Sequence, residues 1–240
     1  DLLERRVLKP KRRAEGRWTF AVDAEHDLGK AVRVPSTVHA VVLSRLDRLS
    51  PNAFSLLSAG AVLEHQITFD RLCAIANVGD DTALPALDEL ISGRLLIEGT
   101  QPGNASAYTF TNDMLRDVVY TEAGDARRRL FHRRALEVLE AAGDSAAVLA
   151  HHAFAAGLSQ AAFRYSLAAG KEALRISALS ESIVHFEHAR QIVQEAASEE
   201  MPAKLEINDL YMQLSQVYES GGQTEKVLAL QAERENFLGE

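Results

Sequence analysis

The sequence holds little with which to do covalent chemistry. Its 240 residues include one cysteine, Cys73, among apolar neighbours. That excludes an intramolecular disulfide framework and points to a reducing, cytoplasmic setting; Cys73 itself reads as packed core. Long apolar runs are also missing. The longest uncharged stretch, 145–163, carries two histidines, two serines and a glutamine, so no membrane span is expected. No signal peptide is read and no initiator Met is present. The abrupt opening on Asp1-Leu2-Leu3-Glu4 reads as a piece of something longer. There is no Gly-x-x-x-x-Gly-Lys-Ser/Thr phosphate loop and no Gly-x-Ser-x-Gly elbow. No catalytic constellation is expected in this stretch, and a hydrolase is the weakest reading.

What is present is ordinary for a folded chain: 47% hydrophobic and 25% charged residues. Lys and Arg number 26 against 34 Asp and Glu, a net charge of −8. An acidic chain is a poor general partner for nucleic acid, which demands clustered cations. The exception is local. Within 1–17, seven basic residues (Arg5, Arg6, Lys9, Lys11, Arg12, Arg13 and Arg17) face Asp1, Glu4 and Glu15. This segment reads as a solvated helix end and loop rather than a nucleic-acid arm.

Alternation in Trp18-Thr-Phe-Ala-Val22 predicts a short strand. A loop is read over 23–34, then an extended approach to Pro35. Ser36 is a candidate N-cap for a helix carrying Val38, Val41, Val42, Leu46 and Leu49. Ser50-Pro51 is a cap followed by proline at the first helical position, and predicts a buried helix over about 51–63. A helix from Phe69 to Ala76 follows. Another begins at Asp81-Thr82 and shows Leu84, Leu87, Leu90 and Ile91 on one face. Strands are predicted at 95–98 and 108–111, separated by the turn-forming run from Gly99 to Ser106. Three helices and a hairpin describe a winged-helix domain over 50–123, preceded by a separate segment, 1–49.

From about Asp125 onward only helices are predicted, near 126–142, 144–156, 160–176, 179–196, 203–220 and 223–238. Gln160 and Lys204 are 44 residues apart, as are Ser180 and Thr224, and Ala168, Ala169, Ala173 and Ala189 supply small contact positions. The pattern predicts a tetratricopeptide-like helical solenoid over 124–240, with a period longer than the usual one. The fold class is therefore mostly α. Such stacks present binding surfaces.

Candidate chemistry is sparse. His151 and His152 are adjacent, so on a helix they point about 100° apart and are expected not to share a metal. Glu181, His185 and His188 could face one ion, but no third strong ligand stands out, so they read as a polar helix face and no metal site is expected. The densest basic run, Arg127-Arg-Arg-Leu-Phe-His-Arg-Arg134, spreads its cations around a helix while Leu130, Phe131, Ala135 and Val138 point inward. Arg127, Arg128, Arg129, Arg133 and Arg134 are thus candidate phosphate or partner contacts, with salt bridges to neighbouring acidic helices the favoured use. DNA binding by the third helix of the winged helix is disfavoured. Residues 50–111 hold seven acids and two bases, and the helix itself carries Asp88 and Glu89.

Several strings point further. These are Val34-Pro-Ser-Thr-Val38, Val42-Leu-Ser-Arg-Leu-Asp-Arg-Leu-Ser50, Tyr108-Thr-Phe-Thr-Asn-Asp-Met-Leu-Arg-Asp-Val-Val-Tyr120, Leu149-Ala-His-His152 and Tyr165-Ser-Leu-Ala-Ala-Gly-Lys-Glu-Ala173. With the arginine run they resemble, over roughly 30–195 and in order, the middle of bacterial STAND-type signalling ATPases of the LuxR-like and cyclase-associated kind. The resemblance implies that 1–49 is the tail of an ATPase and helical module and that 50–123 is a winged helix. It makes the remainder a sensor superhelix. No cofactor is expected in this stretch; ATP or ADP would belong to the upstream domain. In that family the strand-to-helix junction reads Phe-x-His-Asp, and the histidine can approach bound ADP. Here it is Phe110-Thr-Asn-Asp113. Asn112 still offers a neutral amide donor but no cation; it reads first as a cap or turn residue, and Asp113 is also a candidate helix cap. Asn112 and Asp113 are therefore the nucleotide-sensing candidates. The implied function is a regulatory and sensor region of a signal-transduction ATPase or transcriptional regulator. Its partners would be the upstream ATPase domain and a protein or small-molecule signal on the repeats. The alternatives are a helical-repeat scaffold for protein–protein interaction with no nucleotide role and, behind it, direct DNA binding by the winged helix.

Overall fold

A computed structural model describes residues 8–12, 18–22, 36–100, 106–195 and 202–238. The fold is mostly helical, with eleven helices and two small sheets among the described residues. The chain divides into two compact units, 1–44 and 45–240. The second holds both the 50–123 and the 124–240 stretches.

In the first unit β1 (Leu8–Arg12) pairs antiparallel with β2 (Trp18–Val22), Pro10 opposite Phe20. β2 matches its alternating pattern. β1 does not match the helix end and loop expected there: Lys9, Lys11 and Arg12 lie on a strand. Arg5, Arg6, Arg13, Arg17 and the 23–34 loop fall outside the described residues. Helix α1 (Ser36–Leu46) follows. It begins at Ser36 and ends before Leu49. Val42 and Leu46 are buried, whereas Val41, expected on the same face, is 59% exposed.

The second unit opens with α2 (Pro51–Leu63). The Ser50 hydroxyl oxygen accepts from the Ala53 N–H at 3.2 Å, which satisfies one orphan donor of the first turn. Pro51 supplies a pre-set φ at a position that needs no N–H donor. Glu89 then accepts from the Ser50 N–H at 3.0 Å and from its hydroxyl at 2.6 Å. α2 is buried along most of its length, from Ala53 through Leu56 to Leu63. Next come β3 (Ile67–Thr68), α3 (Phe69–Ala76) and α4 (Asp80–Ser92). β4 (Leu96–Thr100) and β5 (Ser106–Phe110) complete a three-stranded antiparallel sheet in the order β3-β5-β4. Ile67 lies opposite Tyr108, and Leu96 opposite Phe110. The turn between β4 and β5, at 101–105, lies outside the described residues.

Two expectations are corrected here. β3 was not anticipated, because two residues are too few to show alternation; only pairing with β5 makes them a strand. On α4 the buried face is Ala83, Ala86, Leu87 and Leu90, while Leu84 is 53% exposed. The expected and observed sets both follow helical spacing, and packing selects between them. Two alanines on the buried face bring α4 close to its neighbours, and the bulkier Leu84 is left outside. Cys73 is buried on α3, as expected.

Helix α5 (Asp113–Glu122) leads into α6 (Asp125–Ala142), which packs on α2 and α3 on one side and on α7 (Ala146–Ala155) on the other. Then α8 (Ser159–Arg175), α9 (Leu179–Glu195), α10 (Lys204–Ser220) and α11 (Thr224–Leu238) each pack on the helix before. This is a solenoid-like stack. The α8–α9 and α10–α11 pairs start at Ser159 and Lys204, one residue more than the expected spacing of 44. Gly143 and Gly157 end helices at φ of 73° and 75°, which a side chain rarely adopts.

The tightest seam joins α8 to α9. Ala162, Phe163 and Ser166 on α8, and Phe186 and Ala189 on α9, are fully buried. A Cβ built on Gly170 would meet the Phe186 ring, the nearest atoms being within 2.4 Å. Farther along, Arg190 joins Glu187 at 2.7 Å and Glu233 at 3.0 Å. The Tyr218 hydroxyl donates to Glu187, and burial together with that bond pushes its phenol up to about 12. These polar ties link α9, α10 and α11.

Replacing Gly170 with alanine should therefore destabilise the fold. Overpacking against a ring with no room to move costs about 1–3 kcal/mol. A better helix former returns at most about 1 kcal/mol. Urea unfolding of Gly170→Ala should show a lowered midpoint, and paired substitution with Phe186→Leu should recover part of it.

Candidate functional site

The densest assembly of polar chemistry lies where α5, α6 and α7 meet. His132 on α6 is 1% exposed and His152 on α7 is 2% exposed. Their Nδ1 atoms are 2.9 Å apart, so one donates and the other accepts. The other His132 nitrogen, Nε2, lies 2.9 Å from the Tyr120 hydroxyl of α5. A continuous hydrogen-bonded chain, Tyr120–His132–His152, thus ties three helices together. His151 completes the group, with its ring centroid 5.6 Å from that of His132 and 5.3 Å from that of His152. One ligand atom from each of the three histidines falls within 4.8 Å of the others.

The rings of His151 and His152 converge with that of His132, whereas on their own helix they were expected to point apart. Adjacent residues do diverge around a helix axis, but each imidazole reaches well beyond the backbone. A third ring from the neighbouring helix bridges the gap. His132 was legible only as part of the arginine run. Nothing local signals that the position buries a polar ring. Glu181, His185 and His188 form no such group among the described residues: His185 lies 3.9 Å from Glu181, and His188 turns away to Ser166 at 3.1 Å.

Burial, reinforced by His152, His151 and Arg128, pushes His132 down to about 3. Burial, then His151, pushes His152 down to about 4. Both rings are neutral at neutral pH and keep a lone pair for a donor or an ion.

Beside the cluster opens a cavity of about 280 Å³, lined by Val62, Leu63, Leu139, Val148, His151 and His152 among others. Its rim is polar. Arg71 of α3 reaches Asp144 at 2.7 Å and Gln66 at 2.8 Å. The adjoining backbone is strained. Glu64 has φ 59° and ψ −51°, and the His65 N–H donates to the Leu63 carbonyl at 2.6 Å. This is a γ-turn of the rare positive-φ kind. Gln66 also has a positive φ, 52°. Such geometry costs of order 1–3 kcal/mol per residue and concentrates at functional sites.

The candidates from the sequence lie elsewhere. Asn112 is exposed and caps α5, its Oδ1 accepting from the Leu115 N–H at 2.8 Å. The cap is therefore Asn112 and not Asp113, which is the first helical residue and exposed. Capping occupies the carbonyl oxygen of Asn112. The arginine run is used largely within the chain. Arg127 lies 5.2 Å over the Phe54 ring, and Arg128 lies 5.0 Å over the Tyr120 ring. Arg128 and Arg129 both pair with Asp125 of their own helix, at 3.5 and 3.2 Å. Among the described residues, intrahelical pairs and ring contacts stand where salt bridges from the run to neighbouring helices were expected from sequence. Arg134 donates to the Ile75 carbonyl at 3.0 Å, one of the last carbonyls of α3, which its own helix leaves open. Arg133 is exposed.

No family model matches the chain. It is similar to the uncharacterized protein R02095 of Rhizobium meliloti (strain 1021), with 31% identity over 160 residues. The match covers 64% of this chain and 15% of that much longer protein. No solved structure matches.

Two outcomes follow. Arg134→Met should cost about 1–3 kcal/mol by stranding the Ile75 carbonyl, whereas Arg133→Met should stay within about 0.5 kcal/mol of the parent; denaturant unfolding separates them. The buried histidines also set a pH dependence. Each titrates near 6.5 when unfolded and at about 3 or 4 when folded, so the unfolded chain takes up protons first. Stability is whole above about pH 6.5 and falls as pH drops below it, toward the folded values, by at most about 1.4 kcal/mol per pH unit for each ring. Unfolding measured from about pH 7 down to about pH 5 should show this decline, and His132→Gln should make it shallower.

Proposed function

We propose that this chain is a regulatory region of a larger signalling protein of the STAND kind. In this reading α2–α5 with the three-stranded sheet form a winged helix that gates a nucleotide site upstream, and the stacked helices receive a protein or small-molecule signal. The observation that carries the reading is the shared helix α6. It packs on α2 and α3 while it starts the helical stack. Arg134 and the Arg71–Asp144 pair fasten that joint with polar contacts of defined length. A displacement of the first helix pair therefore has a direct route to the sheet-bearing part. Coupling of this type needs contacts that differ between two states, and the strained turn at Glu64, beside the same joint, is a place for such a difference.

The match to a small portion of a far longer bacterial protein supports a multidomain setting. Nucleic acid is not the proposed partner. Asp80, Asp81 and Asp88 are exposed along α4, and such a helix repels phosphate. A plain scaffold remains the competing reading, since an unbroken helical stack is also suited to holding a partner.

The test is the ADP retained by the longer chain that the proposal requires. Asn112→His restores a cationic donor at the start of α5 and should raise retained ADP by roughly tenfold, the value of one charge-assisted hydrogen bond. Absence of nucleotide from both forms would sink the gating role and leave the scaffold.

A further inference from the structure

We propose that His132, His151 and His152 form a three-histidine site for a divalent transition-metal ion, Zn²⁺ in the first instance, placed at the junction of α6 and α7 and open to the adjoining cavity. The argument starts from spacing. Two nitrogens each about 2.05 Å from a tetrahedral ion sit about 3.3 Å apart. The Nδ1 atoms of His132 and His152 are already 2.9 Å apart, and the third ring places a nitrogen within the same 4.8 Å group. These separations are close enough to that value for side-chain rotation to aim the three nitrogens at one ion.

The surroundings fit. A ligating imidazole ordinarily donates its other N–H to an oxygen, which fixes tautomer and orientation. The Tyr120 hydroxyl stands 2.9 Å from His132 Nε2 and serves that purpose. With the His132 proton held on Nε2, its Nδ1 lone pair faces the ion. His152 keeps one proton as well, moved from Nδ1 to Nε2, so coordination exchanges the His132–His152 hydrogen bond for two metal–nitrogen bonds with no net gain or loss of protons. His151 is exposed, and it and His152 line the cavity. That supplies an entry path and room for a water in the fourth position. A set of three neutral nitrogens suits Zn²⁺, Cu²⁺ or Ni²⁺ and not Mg²⁺ or Ca²⁺, which demand oxygen ligands. Zn²⁺ imposes no geometry of its own and accepts a site shaped by packing. Arg128 lies close to Tyr120 and adds a positive charge beside the ion's own, which opposes binding in part. A bound ion would lock the angle between α6 and α7. The inference stands on its own geometry, whether or not the chain gates a nucleotide.

The probe is Zn²⁺ alone, competed against a chromophoric chelator at neutral pH, with Co²⁺ as a spectroscopic substitute. The protein should bind one equivalent, and Co²⁺ should give the visible bands of a four-coordinate site. His151→Ala is the decisive variant, because the side chain is exposed and its loss leaves the buried chain from Tyr120 to His152 in place. It should weaken Zn²⁺ binding at least tenfold and abolish the Co²⁺ bands. His65→Ala, on the same cavity, should leave both unchanged. Tyr120→Phe should keep the stoichiometry and weaken binding by about 10–100-fold. The proposal is overturned if no equivalent of Zn²⁺ binds, or if His151→Ala binds it as tightly as the parent.

Discussion

One helix has to be buried on two sides while it carries five arginines, and most of the second unit follows from how that conflict is resolved. α6 lies against α2 and α3 on one flank and α7 on the other. Cations cannot enter either interface unpaired. The helix answers with stacking on aromatic faces, pairing within its own first turns, and one long reach to a carbonyl that α3 leaves open. Only the remaining positions are free to build core, and there Phe131, Ala135, Leu136 and Leu139 are buried. The arginines thus orient the helix, and the apolar residues hold it.

The buried histidines belong to the same economy. His132 occupies a core position on a helix dense in charge, and it is tolerated because both of its nitrogens are engaged. Among the described residues no buried side-chain nitrogen or oxygen lacks a partner. Removing either neighbour would leave a polar atom in an apolar surrounding, which costs more than the hydrogen bond itself contributes. The cluster therefore makes α5, α6 and α7 mutually dependent. The cavity with its strained turn sits beside that three-way dependence, where a small shift in one helix alters the other two.

Much of this was legible in the sequence. Proline after serine, glycine at helix ends and apolar residues at helical spacing placed α2, α3 and α6 to α11 to within two residues. These signals are local, and local chemistry decides where helices start and stop. The failures are long-range. β1 and β3 exist because of their strand partners. Helical spacing admits two neighbouring faces on α4, one through Leu84, Leu87 and Ile91 and one through Ala83, Ala86, Leu87 and Leu90, and only packing selects the second. The histidine cluster is long-range as well: on their own helix His151 and His152 diverge, and the ring that joins them comes from twenty residues away in sequence. The role of Asn112 as cap is local, and only the choice between it and Asp113 needed the backbone angles.

From α6 to α11 each helix rests on the one before it, and the stack has no element that returns to clasp its far end among the described residues. Stability in such an array is close to a sum over adjacent interfaces. A helix pair added or lost at the α11 end changes that sum by the pair's own contact and its interface with the preceding pair, and leaves the α5–α7 junction untouched. The chain is in this sense open-ended: evolution can lengthen its reach without redesigning its anchor.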